Sequence, residues 1–70
     1  MKEAGKMIAS NIRAERSRTG FTQEQVAAKL GISTKTYIEY EKDAANFKAG
    51  ALYKLAELLN CKIDDFFIQK

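Results

Sequence analysis

The sequence contains no histidine, no proline and a single cysteine, Cys61. Without histidine, the chain lacks the commonest general base and the commonest protein metal ligand. One cysteine cannot close an internal disulfide, which fits a reducing compartment. No apolar run approaches the roughly 20 residues that a membrane helix needs, and the opening MKEAGKMIAS has no secretory hydrophobic region. A cytoplasmic location away from membranes is therefore expected. There is no low-complexity run, no internal repeat, no glycine-rich phosphate loop and no activated-serine context, so catalysis is not expected. The same gaps leave no place for a cofactor or a metal.

At 70 residues the chain is read as one domain spanning 1–70. A domain this small buries only about 60% of the surface its unfolded chain exposes. Little is left over for a deep cavity, and no small-molecule ligand, effector domain or self-cleavage module is expected. Hydrophobic residues at 46% and charged residues at 30% mark a globular chain rather than a disordered one. The net charge of +3 is mild but unevenly spread. Lys2, Lys6, Arg13, Arg16 and Arg18 face only Glu3 and Glu15 in the first stretch, while the stretch from Glu57 to Lys70 is slightly acidic. An ordinary solvated surface accounts for this as well as a polyanion-facing one does.

Helical periodicity runs throughout. Ile8, Ile12 and Arg16 share one face of a segment from about Ala4 to Arg18, which Gly20 ends. Phe21-Thr22-Gln23-Glu24-Gln25-Val26 is a helix start: Thr22 caps, Gln25 completes a capping box, and Phe21 with Val26 forms a hydrophobic staple. Gly31 ends that helix as a left-handed residue. Ser33 caps the next, with Ile32 and Tyr37 placed as a second staple. In this helix, to about Lys42, Tyr37, Tyr40, Glu41 and Ala44 fall on one side, and Lys35, Ile38, Glu39 and Lys42 on the other. Leu52, Leu55, Ala56 and Leu59 repeat at helical spacing, and a short last helix from about Asp64 carries Phe66 and Phe67. The expected fold is all-α, with five helices and tight connections.

Residues 23–42 thus give a helix, a sharp turn and a second helix, with small Ala27 where the two must cross. Such a unit leaves its second helix projecting, free to enter a major groove about 12 Å wide. In GFTQEQVAAKLGISTKTYIEYEK, and in LYKLAELLNCKIDDFF that follows in register, the chain resembles the Cro and phage-repressor (XRE) family. The resemblance runs from Asn11 to Phe67 and is dense, because turn chemistry, core spacing and polar positions agree. It implies a lambda-repressor-like DNA-binding domain with its reading helix at 33–42. The implied function is sequence-specific binding of a double-stranded DNA operator by a homodimer, and transcriptional regulation, in the first instance repression. An antitoxin-type or other protein-binding module on the same fold is the alternative.

The resemblance also implies roles for residues. Gln23 matches the family glutamine that contacts a phosphate at a helix start; the plain alternative is a solvent-exposed polar residue. Thr34, Lys35 and Glu39 match positions that read base edges, with Ile38 beside them. Lys35 and Lys42 suit phosphate or guanine O6 and N7, or are an ordinary charged face. Glu39 either accepts from cytosine N4 or pairs with Lys35 or Lys42 and orients them. Ile38 either meets a thymine methyl or packs against Thr34 and the core rim. Arg16 and Glu41 match the family ion pair that ties the first helix to the third, a structural pair rather than a reading contact. Asn46 and Lys48, in the loop 43–48, are phosphate-contact candidates.

The same loop departs from the family: Asp43 replaces a usual glycine, in a left-handed conformation if it keeps the family turn. Phe47 replaces a common proline, Lys48 a small cap residue, and Glu15 a frequent apolar residue. Cys61 reads as a small core residue. Asp64 and Asp65 read as acids at a helix N-terminus, since adjacent helical residues point apart. The tyrosines read as core with hydroxyls at its edge. Leu59, Phe66, Phe67 and Ile68 are the candidate dimer face.

Overall fold

The computed structural model describes residues 2–69, with side chains from Ala4 onward. Lys2 and Glu3 of the charge tally, and Lys70, thus have no described side chain. Among the described residues there are helices and no strands: α1 (Lys2–Thr19), α2 (Gln23–Leu30), α3 (Thr34–Lys42), α4 (Ala49–Leu58) and one 3-10 turn, Ile63–Phe67. The expected fifth helix is therefore a single tight turn. Its start is fixed by Asp65, whose Oδ2 accepts from the Lys62 N–H at 3.0 Å.

The helices stop and start where their local chemistry dictates. Gly20, at φ +83°, closes α1 by donating its N–H to the Arg16 and Ser17 carbonyls. Thr22 accepts from the Gln25 N–H at 3.1 Å, and Gln25 Oε1 accepts from the Thr22 N–H at 2.9 Å, completing the capping box. Gly31 takes φ +74°, and Ile32 beyond it donates to the Ala27 carbonyl at 3.0 Å. Ser33 then caps α3 by accepting from the Thr36 N–H at 3.1 Å.

One core binds the helices. Ala9 and Ile12 from α1, Val26 and Ala27 from α2, Tyr37 from α3, and Leu52, Leu55 and Ala56 from α4 are buried together. Leu59 and Phe66 complete it at 0% exposure. Neither can belong to a dimer face on this structure; of the four residues expected there, only Phe67 and Ile68 are exposed. The small apolar interior draws the other two inward. Asn11, buried in α1, secures the C-terminal segment by donating to the Phe66 and Ile68 carbonyls at 2.9 and 2.7 Å. Arg18 adds a second tie, donating to the Leu59 carbonyl at 2.9 Å while paired with Glu15 at 2.8 Å. That pairing is what Glu15 does in place of an apolar contact.

The tyrosines divide three ways. Tyr53 is 62% exposed on α4, Tyr40 is half-buried, and Tyr37 is wholly buried with its hydroxyl lacking a hydrogen-bond partner. The expectation of core rings with hydroxyls at the rim fits Tyr40, which packs against the core, but not the fully buried Tyr37 or the exposed Tyr53. The structure also corrects Asp43, which is extended (φ −156°, ψ 117°) rather than left-handed. Its Oδ1 accepts from the Ala45 N–H at 2.9 Å, a local bond that turns the chain without a positive φ.

Candidate nucleic-acid interface

The α2–α3 unit is wedged by Val26, Ala27 and Tyr37, all buried, with Leu30 and Ile32 half-buried at its edge. Ala27 is 1% exposed, as a close crossing requires. Because Tyr37 and Glu41 point inward, the other side of α3 faces solvent. Lys35, Glu39 and Lys42 are exposed there, and Thr34 and Ile38 are half-buried. These residues fall three or four apart along the helix and so share a face. Glu39 pairs with Lys42 at 3.6 Å, both more than 60% exposed, a weak contact that offsets one lysine charge.

Behind this face lies a polar junction of α1, α2 and α3. Arg16 Nε is 2.6 Å from Glu41 Oε2, and Arg16 Nη2 donates to Glu41 Oε1 at 3.2 Å. The geometry is a two-pronged guanidinium–carboxylate pair with Glu41 only 2% exposed. Arg16 Nη1 also donates to the Phe21 carbonyl at 2.9 Å, and Arg13 Nη1 to the Glu41 carbonyl. Gln23 joins from the start of α2, its Nε2 donating to Glu41 Oε1 at 3.1 Å.

Electrostatics follow from that geometry. Burial alone would disfavour the Glu41 charge, but the donors from Arg16 and Gln23 outweigh it and hold the carboxyl below the usual range. Glu41 in turn raises the Arg16 guanidinium. The Tyr37 phenol is pushed well up, first by burial and then by the neighbouring carboxylate. At Cys61, burial and then the Glu15 carboxylate push the thiol up, away from thiolate chemistry.

Asn46 and Lys48 stand on the loop after α3, both exposed. Lys48 precedes α4 without a side-chain cap bond. Three supports hold this loop. The Ala44 N–H donates to the Gly5 carbonyl at 3.0 Å; the Phe47 N–H donates to the Ala44 carbonyl at 3.0 Å; and the Phe47 ring stacks on Tyr40 at 4.2 Å. Gly5 is a position that sequence reasoning missed, since a Cβ there would lie 2.0 Å from Asp43 Oδ1 and 3.0 Å from the Ala45 nitrogen. Arg13 was missed as well. Nothing local in the sequence marks either, because both act on residues far along the chain. Among the described residues, no cluster of three or more His, Cys, Asp or Glu could hold a metal ion, and no helix is long and apolar enough to cross a membrane.

Comparison with known proteins bears on this arrangement. A family model described as helix-turn-helix matches residues 12–66. An uncharacterised HTH-type transcriptional regulator of Archaeoglobus fulgidus is 37% identical over 61 residues, covering 87% of each chain. A second from that organism is 34% identical over 61 residues, 87% of this chain and 86% of the relative. One from Methanocaldococcus jannaschii is 34% identical over 61 residues, 87% of this chain and 92% of the relative. No solved structure matches the chain.

Proposed function

The chain belongs to the XRE-type (Cro and phage-repressor-like) helix-turn-helix family, and from that membership we propose that it binds double-stranded DNA sequence-specifically and represses transcription. The observation that carries this reading is the outer face of α3, where Lys35, Glu39 and Lys42 are exposed and Thr34 and Ile38 half-buried beside them, while Tyr37 and Glu41 anchor the helix from behind. A helix about 10–12 Å across fits the major groove. Lys35 supplies donors for guanine O6 and N7 or for phosphate. Ile38 supplies an apolar contact for a thymine methyl. With Lys42 paired to it, Glu39 orients that lysine and remains able to accept from cytosine N4.

Phosphate contacts set the register of this helix on the duplex. Gln23, with the N-terminal N–H groups of α2, takes one, and Asn46 and Lys48 take others from the loop after α3. A homodimer places two such units on half-sites about one turn, roughly 34 Å, apart. The protein acts in the cytoplasm.

Binding of purified protein to duplex DNA across a salt series tests the reading. For six phosphates neutralised, log K falls against log salt with a slope near −5. A flat response would instead favour a protein-binding module.

A further inference from the structure

We infer that Glu41 is a positioning residue for Gln23, holding its amide so that one N–H is spent inside the fold and the second is presented to a DNA phosphate. The inference rests on the DNA-binding reading above and adds a task to the Arg16–Glu41 pair beyond tying α1 to α3.

A glutamine at an open helix start ordinarily samples several rotamers, and its amide presents either an oxygen or a nitrogen to whatever approaches. Phosphate accepts only from the nitrogen. Here Gln23 Nε2 sits 3.1 Å from Glu41 Oε1. An ionised carboxylate only accepts hydrogen bonds, so the reversed amide would set oxygen against oxygen and is repelled. Glu41 cannot swing away, because Arg16 grips its two carboxylate oxygens at 2.6 and 3.2 Å and Arg13 holds its backbone carbonyl. Arg16 is itself held by the Phe21 carbonyl, two residues before Gln23. The start of α2 and the side chain it carries are thus referenced to one buried anion on α3. Thr22 already takes the Gln25 N–H, and Gln23, half-buried against the junction, opens α2 as its first residue. Ordering this side chain before DNA arrives is worth up to about tenfold in affinity.

The test uses four variants and a mixed-sequence DNA duplex of about 30 base pairs at low salt. Gln23→Ala is expected to weaken binding about tenfold. Arg16→Met with Glu41→Met replaces the buried pair by apolar groups of similar size, a change that commonly keeps a fold. It is expected to lose most of the same factor, and Gln23→Ala added to it is expected to cost less than about twofold more. Glu41→Gln puts an amide nitrogen where a carboxylate oxygen stood, so Gln23 is no longer held one way round; it is expected to lose most of the same factor. In NMR spectra without DNA, the two Gln23 side-chain amide protons are expected to be widely separated in the parent alone. They should collapse toward free-glutamine positions in the methionine pair.

Full additivity of Gln23→Ala in both backgrounds, or Glu41→Gln binding as tightly as the parent, would overturn the inference while leaving DNA binding intact. Free-glutamine amide shifts in the parent would overturn it even if the methionine pair failed to fold. A parent that does not bind the duplex in a salt-dependent way would remove the DNA reading and this inference together.

Discussion

Between α2 and α3 the chain turns within residues 31–33, whereas between α3 and α4 it takes residues 43–48. The first connection is closed by short-range bonds: Ile32 to Ala27, Gly31 to Ala28, and Thr36 to Ser33. Its one special requirement is a positive φ, met by Gly31. The second has no glycine and starts from an extended Asp43. It is held by the Gly5 carbonyl, which lies at the opposite end of the sequence, and by a buried Phe47 stacked on Tyr40. One connection is therefore written in its own residues. The other depends on what the rest of the fold brings to it.

The largest expected break in that contrast is Phe47→Ala. The ring is 7% exposed, and its removal leaves a cavity under the loop at a cost of about 3 kcal/mol, measured by denaturant melts. Ser33→Ala, in the other connection, removes only a cap and costs about 1 kcal/mol. Equal losses would erase the distinction.

Next comes Gly5→Ala. The new Cβ meets Asp43 Oδ1 at 2.0 Å and the Ala45 nitrogen at 3.0 Å, so about 2 kcal/mol of overpacking is expected. Adding Asp43→Ala should cost less than the sum of the two changes, because the first collision disappears. Gly31→Ala has nothing within 4 Å of its Cβ and carries only the left-handed penalty, about 1 kcal/mol. That cost should stay the same whatever is done to Asp43. A Gly5→Ala penalty indifferent to Asp43 would show that the loop is not clasped where the structure places it.

The smallest effect concerns acid. The folded state holds the Glu41 carboxyl below its ordinary range, against the opposing effect of burial, so the folded state favours the ionised form. That stability is present above the unfolded carboxyl pKa of about 4.3 and is lost as pH falls below it toward the folded value. Melts between neutral and acid pH should show the parent losing stability that the Arg16→Met, Glu41→Met variant does not lose. Parallel losses would mean that other carboxylates dominate the acid response.

The same contrast explains what the sequence made legible. Thr22, Gln25, Gly31 and Ser33 each perform a task set by neighbours within five residues, so their pattern alone places α2, the turn and α3 correctly. The alternation of Tyr37 and Glu41 with Lys35, Ile38 and Lys42 likewise separates the inner face from the outer one. Gly5, Asn11 and Arg13 act across long sequence distances, and no local spacing signals a partner so remote. Asp43 was read by analogy with a glycine turn, but an Asx-type bond to Ala45 removes the need for a positive φ. Leu59 and Phe66 looked surplus to a small core until Asn11 is seen fastening the C-terminal segment across α1, which places Phe66 inside.

In the proposed function, α3 projects its outer face to read duplex DNA. Binding-site selection from a random duplex pool, run in parallel with the parent and Lys35→Ala at one stated salt concentration, tests it most directly. An enriched site in the parent, with preference relaxed at particular bases in the variant, is the predicted result. No enrichment by the parent, or identical sites from both proteins, would contradict it.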